Sequence, residues 1–244
     1  LGRDPGEARA LAAAAGDNFC RVVAEYWRID GLAARPDRVR VVDAAPLAQA
    51  RARGRGVVIA SAHFGNWEAI RLAARAATGE ECALIYRAFN NPAVDAVAQR
   101  FIAVAGRPVL HKGREGTRAL LRHVARGGTA LVLVDQRQTG APLLPFLGRE
   151  AETATAAADL ARRFDAALLT ACARRRDDGL GFDVTFQAEA TGDTAEAMMA
   201  EVNGRIGAWI DADPGQWFWL HRRWVRRGRG DRIRAARSGA APQG

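Results

Sequence analysis

Short apolar runs alternate with amphipathic segments along most of this chain, and that alternation constrains the fold more than any other feature. The runs fall at 57–61 (VVIAS), 82–86 (CALIY), 129–134 (TALVLV) and 167–173 (ALLTACA), with a shorter one, PVLH, at 108–111. Helical patterns occupy 66–78, 92–105, 114–126 and 152–164. Strands that are apolar throughout need cover on both faces. The pattern therefore predicts an α/β fold with a mixed, mostly parallel central sheet flanked by helices. A short strand is expected at 39–43 (VRVVD), then a short helix ended by Gly54. FDVTFQ (182–187) alternates more strictly, which predicts an edge strand. Further helices are expected at 7–28 and at 194–212, where Met198, Val202, Ile206 and Trp209 recur at helical spacing. LLPFLG (143–148) reads as an apolar loop, suited to line a tunnel for an apolar chain or to core packing. The 244 residues are read as one domain over 1–227 and a basic tail over 228–244, whose Arg, Gly and Ala content predicts disorder.

In an open parallel sheet, ligands bind beyond the carboxyl ends of the strands. Three polar side chains fall there: His63 after run 57–61, Arg87 after 82–86 and Asp135 after 129–134. A potential base, a cation and a carboxylate make a constellation worth testing. The stretch HFGNWE adds Glu68, five residues after His63. On a continuous helix that separation is about 500°, and the side chains would diverge. They converge more easily if His63 lies in the strand-to-helix turn and Glu68 in the first helical turn. Gly65 and Asn66 permit such a turn, and Asn66 suits the N-cap of a helix starting at Trp67. Glu68 is then expected to accept the Nδ1 proton of His63, leaving Nε2 to face the cleft as a base. On spacing alone, a turn histidine beside a solvated helix carboxylate is an equal alternative.

No G-x-S-x-G, P-loop or G-x-G-x-x-G pattern accompanies the pair, which disfavours a serine hydrolase, an NTPase or a dinucleotide enzyme. A histidine base without a protein nucleophile suggests a substrate that brings its own, such as a hydroxyl to be acylated. Arg87 reads either as an anion clamp, for a phosphate or a phosphopantetheine arm, or as an exposed strand-end arginine. Lys112 and Arg114 could line a phosphate site or lie on solvated surface. Asp135 could orient His63, bind an acceptor or pair with Arg137.

The net charge of +9 favours an anionic partner: nucleic acid, an acidic carrier protein or an acidic membrane surface. Of 36 basic residues only Lys112 is lysine, a compositional bias that weakens any argument from arginine count. Cys20, Cys82 and Cys172 form no C-x-x-C pair, and the four histidines show no i,i+4 pairing. A disulfide framework and a metal site are therefore not expected, and a reducing compartment is. No uncharged apolar run approaches the roughly 20 residues of a membrane span. QWFWLHRRW (216–224) sets three tryptophans and a phenylalanine beside His221, Arg222 and Arg223, and seven arginines against one aspartate fall within 222–234. Aromatics beside cations suit a membrane interface or nucleic acid, or a core-packed aromatic segment leading into a basic tail.

SAHFGNWE, YRAFNNPAVD, KGREGTRALLR, LVLVDQRQ, PFLGREAETATAAADLARR and QWFWLHRRW occur here in the order and spacing of the lipid A biosynthesis acyltransferase family, the late lauroyl- or myristoyl-transferring enzymes. The resemblance covers roughly residues 17–225. It implies a glycerolipid-acyltransferase-like fold with a surface cleft beside a hydrophobic tunnel. It implies that His63 and Glu68 form the catalytic pair, with His63 taking a proton from an acceptor hydroxyl that attacks the thioester of an acyl-carrier-protein donor. Arg87 matches the family's basic residue after the next strand, and Asp135 the acid of its D-Q motif. No cofactor is implied beyond the acyl carrier protein as donor. The implied partners are that carrier, a lipid A precursor or related glycolipid as acceptor, and an anionic membrane surface, at the cytoplasmic face of the inner membrane. Relatives usually carry an N-terminal membrane-spanning segment and a leading helix, so the resemblance implies a fragment or a gene product trimmed at its start. DQRQTGAPLLPFLG is compact where the family often has a longer loop. Two other readings stand beside this one: a catalytically silent binder of anionic membrane or nucleic acid driven by the arginine-rich tail, and a thioesterase-like hydrolase in which water replaces the acceptor.

Overall fold

The computed structural model describes residues 4–224. Helix α1 (Pro5–Tyr26) opens it, and the Asp4 carboxylate caps that helix by accepting the N–H groups of Gly6 at 2.6 Å and Glu7 at 3.1 Å. A short α2 (Ile29–Ala33) follows. The alternation then runs β1 (Val39–Asp43), α3 (Ala45–Ala52), β2 (Val57–Ser61), α4 (Glu68–Thr78), β3 (Cys82–Tyr86), α5 (Pro92–Ala105), β4 (Val109–His111), α6 (Arg114–Ala125) and β5 (Thr129–Leu133). After it come β6 (Leu143–Phe146), β7 (Arg149–Glu152), α7 (Ala156–Arg163), β8 (Ala167–Arg175), β9 (Phe182–Gln187) and α8 (Ala195–Ala212). No helix among the described residues is long and apolar enough to cross a membrane.

Seven strands form one sheet in the order β1-β9-β8-β2-β5-β3-β4. All neighbours run parallel except the β8–β9 hairpin, so the sheet is mixed and mostly parallel, as the apolar runs predict. All five residues of β2 are buried, which is why its run shows no polar alternation. Helices α6, α7 and α8 pack on one face, around Val58, Ala60, Leu168, Val202 and Ile206. Helices α3, α4 and α5 cover the other, around Ile59, Ile70, Leu84, Ile102 and Leu131.

Three expectations need correction. Strand β9 is not an edge: it lies between β1 and β8. Its alternation reports one-sided burial, with Phe182, Val184 and Phe186 in the core and the residues between them half-exposed. LLPFLG is not a loop. It forms the β6–β7 hairpin, whose two-residue turn places Leu147 at φ 49° and Gly148 at φ 70°. That hairpin also claims residues 149–152, so the helix expected from 152 starts at Ala156. The tail at 228–244, and the domain boundary before it, lie outside the described residues.

Candidate active site

Strands β2 and β5 are neighbours at the centre of the sheet, in a register that pairs Ser61 with Leu133. Two residues beyond each strand end come His63 and Asp135, and the register brings them together. The His63 Nδ1 lies 2.8 Å from Asp135 Oδ1, and the His63 main-chain N–H donates to Oδ2 at 2.9 Å. The indole Nε1–H of Trp217 donates to the same Oδ2 at 2.8 Å. Asp135 is fully buried. Burial alone would raise its carboxyl; the facing His63 charge and the three N–H donors outweigh that and hold it at about 2. An ionised carboxylate only accepts, so Nδ1 carries a proton, and the lone pair of the neutral imidazole is then on Nε2. No described residue hydrogen-bonds to Nε2, and the His63 side chain is 17 % exposed.

The turn that carries His63 depends on Gly65. Its φ is +55°, and a Cβ there would lie 1.8 Å from the Ala173 carbonyl oxygen. The Gly65 N–H donates to Gln216 O at 3.0 Å, and the Phe218 N–H donates to His63 O at 2.9 Å. The Asn66 side chain accepts the Glu68 N–H at 3.0 Å, but α4 starts at Glu68 and not at the expected Trp67, so Trp67 takes the N-cap position. Around the imidazole stand Trp67, edge-on at 5.0 Å between ring centroids, and His221, edge-on at 5.1 Å. His221 packs on Phe218, and its Nε2 is 2.9 Å from the Gln136 amide nitrogen. Burial, with the neighbouring His63 charge, holds the His221 imidazole below the usual histidine range.

Glu68 is not at this imidazole. Its side chain is fully buried on the α4–α5 side, where Oε2 accepts Arg71 Nη1–H at 2.6 Å and Oε1 accepts the Tyr26 hydroxyl at 2.9 Å. Tyr26 in turn accepts the Trp67 indole N–H at 2.5 Å. The contact with Nδ1 expected of Glu68 is made by Asp135. The reason is direction: residues three apart on a helix share a face, and Glu68 and Arg71 share the buried face of α4. Arg71 is satisfied further by the carbonyls of Cys82, Ile102 and Gly106. Arg137 pairs with Glu152, so it does not compete for Asp135.

Arg87 and Lys112 follow β3 and β4 directly. They stand side by side because Tyr86 registers with His111 and the Lys112 N–H donates to Tyr86 O at 2.6 Å. Both are exposed, as is Arg114 at the start of α6. All three lie at the carboxyl edge that holds His63, but β5 separates β3 from β2. At the ordinary strand spacing, Arg87 stands roughly 10 Å and Lys112 roughly 15 Å along that edge from His63. Asp95 fixes the β3 end, accepting the Tyr86 hydroxyl and the Phe89 N–H, each at 2.9 Å.

No hydroxyl or thiol among the described residues is hydrogen-bonded to His63. Ser61 turns inward and donates to Ala171 O at 2.6 Å. Burial pushes the Cys82 and Cys172 thiols up to about 12. The arrangement is an imidazole held at Nδ1 by Asp135, with Nε2 unbonded by any described residue. Sequence reasoning missed Trp217 and His221 as parts of it. The signal available was the density of QWFWLHRRW, which the strand-end rule does not reach. A family model described as bacterial lipid A biosynthesis acyltransferase matches residues 3–226. No curated protein matches the chain.

Proposed function

The chain belongs to the bacterial lipid A biosynthesis acyltransferase family, and from that premise we propose that it moves a fatty acyl chain from acyl carrier protein to a hydroxyl of a lipid A precursor or related glycolipid. The observation that carries the reading is the free Nε2 of a histidine whose Nδ1 is held by a buried, ionised aspartate. Nε2 takes the proton of the acceptor hydroxyl as its oxygen attacks the thioester carbon. The tetrahedral intermediate collapses, the carbon–sulfur bond breaks, and the departing thiolate takes the proton back from the imidazolium. Asp135 stabilises that imidazolium without being protonated itself. Glu68 acts at a distance, holding the Tyr26–Trp67 wall against which the imidazole packs.

Arg87, Lys112 and Arg114 supply the positive rim for an anionic group, either a phosphate of the acceptor or the phosphopantetheine arm of the donor. The charge of +9 also suits an acidic carrier and the anionic cytoplasmic face of the inner membrane, where such an acceptor is reached. Mass spectrometry of products from defined acyl-carrier-protein donors and a tetra-acylated precursor tests the reading. One added acyl group on the acceptor supports it, whereas free fatty acid alone makes the protein a hydrolase. His63→Ala is expected to lose about 10²–10⁴-fold in rate. A His63→Ala enzyme as fast as wild type would remove the base from the mechanism.

A further inference from the structure

The two oxygens of Asp135 have different donors. Oδ1 takes the imidazole, while Oδ2 takes both the His63 main-chain N–H and the Trp217 indole N–H. Two of the three donors come from the His63 turn itself; the third arrives from 82 residues along the chain. With Oδ2 held from two directions, the carboxyl plane is fixed and Oδ1 stays on Nδ1. Without the indole, Oδ2 keeps only the His63 main-chain N–H, and the carboxyl plane is held from one side.

Trp217 is built into that position. It pairs with Phe64 across a short antiparallel bridge, and its neighbours Gln216 and Phe218 bond to the main chain of Gly65 and His63. Its ring is buried, edge-on to Trp219 at 4.6 Å and tilted against Phe146 at 5.7 Å. Farther along the same segment, buried Arg223 donates to Glu152 O and to Thr153 Oγ1, each at 2.6 Å. The strap from 214 to 224 is thus tied at both ends and delivers one donor to one carboxylate oxygen.

We propose that Trp217 is a positioning residue for acyl transfer: its indole N–H locks Asp135 so that His63 keeps its proton on Nδ1 and its lone pair on Nε2. This rests on the reading of His63 as the base. The same donor keeps the proton on the imidazolium during turnover, because a carboxylate that already receives three N–H bonds is a poor proton acceptor.

Two full-chain variants test the idea. Trp217→Phe keeps a ring and removes the donor. Benzothienylalanine at position 217 keeps the tryptophan shape and carries sulfur in place of N–H. Both are expected to lower kcat on the order of 10- to 100-fold, the worth of a hydrogen bond to a charged group, with KM little changed. Nitrogen-15 NMR of His63, which needs no turnover, should show a single Nδ1–H tautomer in the wild type and a mixture in both variants. If Trp217 only fills space, the benzothienylalanine protein keeps wild-type kcat and a single tautomer, and the proposal is overturned even if Trp217→Phe fails to fold. His63→Ala separates the two claims. An inactive His63→Ala beside a fully active benzothienylalanine variant removes the positioning role alone, whereas an active His63→Ala removes the base.

Discussion

Two carboxylates are completely buried, Glu68 five residues along the chain from His63 and Asp135 hydrogen-bonded to its ring, and they are set up in opposite ways. Glu68 sits beside Arg71, a permanent cation three residues on along α4, and accepts the Tyr26 hydroxyl. Burial, with the nearby Glu68 charge, pushes that phenol well above its ordinary range, so the hydroxyl stays a donor. Asp135 instead faces an imidazole, an indole and a main-chain N–H, and of these only the imidazole can gain or lose a proton. A carboxylate locked to a guanidinium holds a wall in place. A carboxylate beside a histidine fixes which ring nitrogen carries the proton, the arrangement that the proposed base needs. Burial is equal at the two sites; the partner decides what each carboxylate can do.

The largest effect that could break this comparison is at Asp135. Asp135→Asn keeps the shape and presents an amide that can donate to Nδ1, which favours the wrong tautomer; a fall of about 10⁴-fold in kcat is expected. Thermal unfolding should show the variant folded at the assay temperature. Near-wild-type turnover by that variant would leave Glu68 as the remaining candidate orienter.

Glu68→Gln is expected to do the reverse. It leaves the buried Arg71 guanidinium without its counter-ion, which costs about 3–5 kcal/mol. In a chain of this size that lowers the melting temperature by roughly 10 °C or more, while kcat of the folded protein falls less than tenfold. Calorimetry and single-temperature kinetics on one preparation check both halves. A stable but inactive Glu68→Gln would reinstate Glu68 as a member of the catalytic pair.

The sequence made some of this contrast visible and concealed the rest, for reasons of geometry. Strands β2 and β3 and helix α5 fall on the residues where the apolar runs and capping signals put them, because a strand with covered faces leaves a continuous run, and β9 falls where its alternation put it. His63, Arg87 and Asp135 were legible because strand ends were. Spacing, however, measures distance along the chain and not direction across it. Glu68 lies near His63 in sequence, yet its side chain belongs to the other side of the turn. The overlooked signal was Arg71, a second charge among Ala69, Ile70, Leu72, Ala73 and Ala74. An ion pair set in so apolar a helix face is buried. The partnership of His63 with Asp135 needed the adjacency of β2 and β5, strands 72 residues apart in the chain at the paired side chains, which no local pattern encodes.

The next effect is on stability and separates the two sites by pH. The Asp135 carboxyl falls from an ordinary 3.8 to about 2, which corresponds to about 2 kcal/mol of stability. A depressed carboxyl contributes fully above the unfolded-state value. As the pH drops below about 4 the unfolded chain takes up the proton first, and the contribution is gone below about 2. Denaturant titrations between pH 5 and pH 2 should therefore show a loss of stability that Asp135→Asn reduces by that amount. An identical pH slope in wild type and Asp135→Asn would mean that the aspartate is not held ionised by its three donors.

The smallest effect is at His221, which touches the imidazole that Asp135 orients. Burial, with the His63 charge, holds its imidazole below the usual range, so at neutral pH it is uncharged and adds no field to the site. His221→Gln removes the packing on His63 and Phe218 and alters the contact with Gln136, and kcat should fall less than tenfold. The pH dependence has a definite sign. A histidine whose folded-state value is lowered resists protonation in the native state, so the unfolded chain binds the extra proton as the pH falls through the ordinary histidine range. His221 thus destabilises the fold progressively below about pH 6.5. His221→Gln should lose less stability than wild type between pH 7.5 and pH 5.5 in matched urea melts. A loss of kcat as deep as that of Asp135→Asn would instead make His221 a second proton carrier, and the imidazole end of the comparison would then hold two titrating partners where the guanidinium end holds none.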